Sequence, residues 1–177
     1  MSVPPVADPA FTSNAERLLL CFSHLRWDFV FQRPQHLMTR FAAFYRVVVW
    51  EEPIVNGAEP ARLAMRDGGG GVRIATPHLP AGLSAVDTDA ALRRLLDGLL
   101  AAEPRLAVRW YYTPMMLGFS RHLSAGCTVY DCMDELSAFR FAPPDLLALE
   151  AELLDAADLV FTGGYSLYEA KRERHPD

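Results

Sequence analysis

The sequence is short of the features that mark several common protein classes. It has only three cysteines, Cys21, Cys127 and Cys132, an odd number without metal-type spacing. They fall in strand-like runs, which fits buried reduced thiols in a cytosolic protein rather than a disulfide framework. Basic charge is not in excess. The formal net charge is -5, which argues against a nucleic-acid binder, since such domains carry a basic stripe. No apolar run approaches the ~18 to 20 residues of a membrane span. There is no G-x-S-x-G nucleophile elbow and no G-x-G-x-x-G. The segment after the first apolar run, Ser23-His24-Leu25-Arg26-Trp27, lacks the glycines that a dinucleotide pyrophosphate requires, which disfavours nicotinamide dehydrogenases and nucleotide-sugar epimerases. The tract Asp67–Gly71 lacks the G-K-[ST] ending of a phosphate loop, and no helix follows it.

What is present is an alternation of two hydrophobic periods. The 177 residues are enough for one sizeable core. Residues 1–16 contain Pro4, Pro5 and Pro9 and no hydrophobic segment, so they read as a disordered tail and not a signal peptide. Arg17–Ser23 is a short, continuously apolar run, the pattern of a strand buried on both faces, and Tyr45–Trp50 is a second buried strand; Leu106–Tyr112, Cys127–Cys132 and Leu159–Thr162 also predict strands. Between them lie helical stripes. Pro34 suits a first helical position and leads into Leu37, Met38, Phe41 and Phe44. Thr88–Ala102 places leucines at 92, 95, 96, 99 and 100. Pro114–Leu123 predicts a short helix. Pro143 and Pro144 open another through Ala157, and Ser166-Leu-Tyr-Glu169 has the form of a capping box. Arg62–Arg66 and Val72–Thr76 predict a small hairpin insertion around the glycine tract, with Pro77-His78-Leu79-Pro80 continuing as loop. The whole predicts an α/β domain over 17–177, a doubly wound parallel sheet with helices on both faces.

In such sheets ligands bind beyond the carboxyl ends of the strands. That rule selects Ser23–Arg33, Tyr112–Pro114, Tyr130–Phe139 and Thr162–Ser166. In the first segment Trp27 offers a ring face to a sugar. Asp28 can accept hydrogen bonds from hydroxyls, and Arg33 beside a helix N-terminus can fork onto a phosphate or carboxylate. The competing expectation is that Asp28 and Arg33 pair with each other and Trp27 plugs the sheet edge. His24 is a candidate base or a structural histidine. Tyr112 and Thr113 bring hydroxyls, or else a core phenol and a cap. Asp131, Asp134 and Glu135 are three carboxylates too few to hold a hard cation by themselves, so they are expected to hydrogen-bond and not to bind a metal.

Four stretches carry a resemblance: "CFSHLRWDFVFQRPQHLMTRFA", "WYYTPMM", "TVYDCMDELSAF" and "DLVFTGGYSLYEAKRERHP". Together they resemble the amino-terminal half of bacterial GT-B glycosyltransferases, nearest to the teichuronic-acid-type enzymes of cell-envelope polysaccharides. The string W-D-x-x-x-Q-R-P-Q is the most specific part. The resemblance implies a Rossmann-like acceptor-side domain, with the donor-binding carboxyl-terminal domain lying outside these residues and this part alone inactive. It implies a nucleotide-sugar co-substrate and no other cofactor, a glycan or lipid-linked acceptor, and a cytoplasmic enzyme with peripheral access to the inner membrane face. His24, Trp27, Asp28, Arg33, Tyr112, Thr113, Asp131, Asp134 and Glu135 would line the acceptor side. Relatives carry T-x-H-D where Thr128-Val-Tyr-Asp131 stands here, so no histidine role transfers to Tyr130. An uncovered interdomain face would include Trp27, Phe29, Phe31, Phe139 and Phe141. The alternative is a non-catalytic α/β module that binds a glycan or a partner chain.

Overall fold

The computed structural model describes residues 16–57, 60–134 and 145–175. The first run forms β1 (Arg17–Ser23), in which every residue after Arg17 is buried. A strand flanked by neighbours and covered on both faces has no polar side to show, which explains the unbroken apolar run. Helix α1 (Arg33–Phe41), β2 (Arg46–Glu51) and the two-residue β3 (Ile54–Val55) follow. Next come β4 (Arg62–Asp67), β5 (Val72–Leu79), α2 (Ala85–Leu100) and β6 (Arg105–Tyr111). A 3-10 turn, Pro114–Met116, runs into α3 (Leu117–Ser120). The chain ends with β7 (Cys127–Cys132), α4 (Leu146–Ala156), β8 (Leu159–Thr162) and α5 (Tyr165–Lys171). The expected tail and the start of the helix at Pro143 and Pro144 fall outside the described residues.

The strands form one eight-stranded sheet in the order β3-β5-β2-β1-β6-β7-β8, with β4 on β5. All pairings are parallel except β4 with β5. Helices cover both faces. One layer joins Leu18, Leu20, Phe22, Trp50, Tyr111 and Tyr130 to α2, α3 and α4. The other joins Leu19, Cys21, Val49, Ile74, Trp110 and Val129 to Met38 of α1. This is the expected doubly wound, Rossmann-like α/β fold.

Three local expectations need correction. The hairpin is not an insertion. Its second strand, β5, is an integral member of the sheet and pairs with β2 from Val47–Val72 to Trp50–Ala75. Pro77–Leu79 also continues that strand, because His78 and Leu79 still pair with Ile54 and Val55. One proline removes one donor and leaves the flanking ladder intact. Second, α1 begins at Arg33, so Pro34 is its second residue. Gln32 precedes it, and its N–H donates to Gln35 Oε1 at 2.9 Å. Third, Gly164, not Ser166, precedes α5, and Ser166 lies inside the helix.

The glycine tract is also more ordered than a flexible turn. Gly69, Gly70 and Gly71 all have positive φ, and the turn lies against α1. A Cβ on Gly70 would sit 2.9 Å from Thr39 Cγ2, and one on Gly71 would sit 3.2 Å from Ala42 Cβ. Glycine is what allows this close approach. The three thiols are free, with Cys21 and Cys132 buried. Among the described residues, no helix is long and apolar enough to cross a membrane.

Candidate functional site

From β1 the chain winds outward through β2 and β5, then crosses back to place β6 on the other side of β1. The loops leaving β1 and β6 therefore diverge, and a crevice opens between them at the carboxyl edge. Tyr112 N donates to Phe22 O at 2.9 Å, which ties the second loop to the end of β1. Beyond β7, Gly163 N donates to Cys132 O at 2.8 Å. The described parts of the four segments chosen from the sequence share one edge.

Asp131 lies at the centre. It is fully buried near the end of β7. Arg33, at the start of α1, reaches across the switch point and places Nη2 3.0 Å from Asp131 Oδ1. Arg33 is about one-third exposed at 36% while the carboxylate is closed off. The Tyr112 hydroxyl and the Trp110 indole N–H face the same carboxylate. These donors converge without completing good hydrogen bonds: beyond the Arg33 ion pair, both Asp131 oxygens, the Tyr112 hydroxyl and Trp110 Nε1 are buried without a hydrogen-bond partner. Burial therefore dominates. It raises the Asp131 pKa to about 6, against the opposing pull of Arg33, Tyr112 and Trp110. Burial, with Cys21 and Asp131 adding to it, holds the Tyr112 phenol far above its ordinary value. His24 is drawn down by burial, opposed by Asp134 and by a hydrogen bond to the Tyr112 backbone.

The expected site thus separates into two groups. His24, Arg33, Tyr112, Asp131 and Asp134 gather at the crevice. Trp27 and Asp28 belong elsewhere, beside an open hollow of about 490 Å³ formed by Trp27–Phe31, Gln35, Thr39 and Gly68–Gly70. Asp28 does not pair with Arg33. It binds Arg66 at 2.9 Å, because the loop folds down beside α1 toward β4, while Arg33 is carried by the helix to β7. Trp27 is largely buried, and its indole N–H donates to Gly68 O at 2.8 Å. Only part of its surface faces the hollow, whereas Phe29 and Phe31 are exposed. Thr113 Oγ1 accepts from Met115 N at 3.3 Å and so serves as a cap. Glu135, Phe139 and Phe141 lie outside the described residues. Among the described residues, no three His, Cys, Asp or Glu side chains cluster closely enough to hold a metal ion.

Sequence reasoning missed two residues that build this region. Glu51, at the end of β2, is a buried hub. Its Oε1 accepts from Trp27 N at 2.7 Å, and its Oε2 accepts from Thr76 Oγ1 at 2.8 Å and pairs with Arg26 at 3.3 Å. Gln35 is likewise buried, and its Nε2 donates to Trp27 O at 2.7 Å. Together they fix the loop that carries Trp27. The available signal was position: an acid directly after a buried strand faces the loop of the neighbouring strand.

The fold defines the class as a Rossmann-like α/β domain. No known protein family matches the sequence, and no curated protein matches it. Solved structures do share its fold. One is from E. coli, a trehalose-6-phosphate structure bound with UDP-2-fluoro glucose, with TM-score 0.51, 14% identity and 81% of this chain covered. Another is the UDP-forming alpha,alpha-trehalose-phosphate synthase of Burkholderia vietnamiensis, with TM-score 0.53, 17% identity and 90% covered. A third is the alpha,alpha-trehalose 6-phosphate synthase of Burkholderia multivorans, with TM-score 0.50, 18% identity and 90% covered. This chain spans 39%, 43% and 41% of the length of those three chains.

Proposed function

We propose that the chain is the acceptor-side half of a nucleotide-sugar-dependent glycosyltransferase of GT-B architecture. One observation carries this reading: most of the chain superposes on under half of enzymes described as UDP-forming or bound with a UDP-sugar analogue. The crevice supports it, since its charge and hydroxyls lie where an open α/β sheet binds ligands. In this reading the nucleotide sugar belongs to a second domain that these residues do not contain, and no metal is required. The acceptor is a hydroxyl of a cell-envelope glycan or of a lipid-linked sugar, reached from the cytoplasmic side of the membrane.

In this reading the residues take different tasks, in keeping with their burial. Arg33, His24 and Asp134 stand at the crevice wall and touch the acceptor. Asp131 is closed off, so it acts as a positioning residue that holds the Arg33 fork. The planar guanidinium then presents its remaining N–H groups to a hydroxyl or anionic group. A neighbouring hollow, with Asp28 and the exposed Phe29 and Phe31 at its rim, receives the more distant part of the glycan.

The test is an NMR titration of the chain with oligosaccharides, soluble polyprenyl-phosphate sugars and UDP-glucose, each alone. Acceptors should shift the amides of Ser23–Arg33 and Tyr112–Thr113 with millimolar affinity, and UDP-glucose should leave them still. UDP-glucose binding more tightly than any acceptor would overturn the assignment of this half. Shifts confined to other surfaces would remove the crevice from it.

A further inference from the structure

The opposite, amino-terminal edge of the sheet holds a separate cavity of about 360 Å³. Its wall includes Arg17, Tyr45, Arg105, Val108, Gly126 and Cys127. Arg17 and Arg105 open β1 and β6 and are register partners on these adjacent parallel strands. Like charges in that position repel, and because both side chains are exposed, solvent weakens that repulsion without removing it. Among the described residues, no acidic side chain answers them. Arg17 donates to the Tyr45 hydroxyl at 3.1 Å and lies 4.8 Å above its ring. Glu103, next but one to Arg105, is taken by Arg46 at 3.1 Å and Arg73 at 2.6 Å. Asp158, close to Cys127, accepts from Thr128 N at 2.7 Å.

The backbone is shaped around the same cavity. The β1–β6 register slips between Leu18 and Leu19, which pair with Leu106 and Val108, so Ala107 is an extra residue on β6. Such bulges re-aim side chains at sheet edges. Across from the bulge, a Cβ on Gly126 would lie 3.0 Å from Ala107 O. A side chain there would press on that carbonyl, so glycine eases the approach of β7 beside the cavity.

We propose that this cavity binds the phosphate group of a small phosphate monoester. Two guanidinium forks suit a dianion, and the Tyr45 hydroxyl adds a third polar group. Bound phosphate would cancel the Arg17–Arg105 repulsion, so the site gains by occupancy. It lies at the far edge from the acceptor crevice and does not depend on the proposed transferase reaction.

Cys127 supplies a built-in reporter. It is half-buried at the cavity, whereas Cys21 and Cys132 are buried. Burial, with Asp158 nearby, raises its pKa, so it reacts slowly and measurably as a thiol. The test follows Cys127 alkylation by N-ethylmaleimide by mass spectrometry, together with the melting temperature, at constant ionic strength. Inorganic phosphate and phenyl phosphate are compared with chloride and acetate. At ten times its dissociation constant, either phosphate should slow alkylation about tenfold and raise the melting temperature. Arg105→Gln and Arg17→Gln should each abolish the protection. Arg105→Gln should melt no lower than the native chain without phosphate, because it relieves a like-charge pair. Absence of protection at ~50 mM phosphate, some tens of times a millimolar dissociation constant, would refute the site, as would equal protection in the variants. Binding to phosphatidylglycerol vesicles without any response to soluble phosphates would assign the arginines to a membrane surface and overturn the proposal.

Discussion

Replacing Asp131 with Asn should make the protein more stable at neutral pH. Asp131 is buried with a folded-state pKa of about 6, against 3.8 when unperturbed. A carboxyl whose folded pKa is raised stabilises the fold when protonated and loses that contribution as pH rises through about 6. The native chain should therefore gain stability on acidification from pH 7.5 to 4.5, as far as this residue is concerned. The gap between the two values is worth ~3 kcal/mol, at ~1.4 kcal/mol per pH unit. Asn has the same shape and carries no charge, so it removes that cost at pH 7.5. It also removes the attraction to Arg33, which is partly exposed and so screened; the expected net gain is ~1 to 2 kcal/mol. For a domain of this size that raises the melting temperature by about 2 to 8 °C. Calorimetry of both proteins from pH 4.5 to 7.5 is the assay. The two curves should converge toward acid pH. A melting temperature lowered by Asp131→Asn at pH 7.5, or a difference independent of pH, would show that Arg33 and the surrounding donors outweigh burial. Under the proposed function, greater stability with weaker acceptor binding is the trade expected of Asp131.

Three further outcomes follow from the geometry. Glu51→Ala leaves the Trp27 N–H and the Thr76 hydroxyl without their acceptor, and should cost ~3 kcal/mol in urea unfolding; a loss below ~1 kcal/mol would mean water replaces the hub. Gly70→Ala meets both a positive φ and Thr39, whereas Gly57→Ala meets a positive φ and open space. The first should cost ~2 kcal/mol or more and the second ~1 kcal/mol, and equal losses would show that the turn does not press on α1. Phe29 and Phe31 are 76% and 64% exposed, so sedimentation should reveal concentration-dependent self-association that Phe29→Ser with Phe31→Ser abolishes. A native chain that stays monomeric at high concentration would refute this.

The sheet was legible because its strands are buried on two sides, and a run such as Leu18–Phe22 has no other economical fate. The leucine stripe of α2 was legible for a similar reason, although Ser84 caps the helix at 3.1 Å from Asp87 N and so starts it at Ala85, three residues before the expected Thr88. The partners of charged residues were not legible. Arg33 has an aspartate five residues away in the chain, yet it binds Asp131, because helix direction and strand order decide what it meets. Proline chemistry misled twice: Pro34 stands one residue later in the first helical turn than expected, where its missing donor still leaves no bond unmade, and Pro77 proved compatible with a strand. The crevice could be placed by topology alone. The split between crevice and hollow depends on how the Trp27 loop descends beside α1, and that path is set by Glu51 and Gln35.

The central position of β1 has a consequence for synthesis. Its first partner, β2, follows within a short stretch, so β1, α1, β2 and the β4–β5 hairpin can assemble from local sequence. Its other edge is completed only by β6, whose first residue Arg105 pairs with Arg17. A ribosome adding 5 to 20 residues per second needs roughly 5 to 20 s to cover that distance. Throughout that interval the free edge of the most apolar strand is open to pairing with another nascent chain. The hazard is greatest on polysomes, where identical edges emerge side by side, and a chaperone that engages Leu18–Phe22 early would shield the strand until β6 arrives.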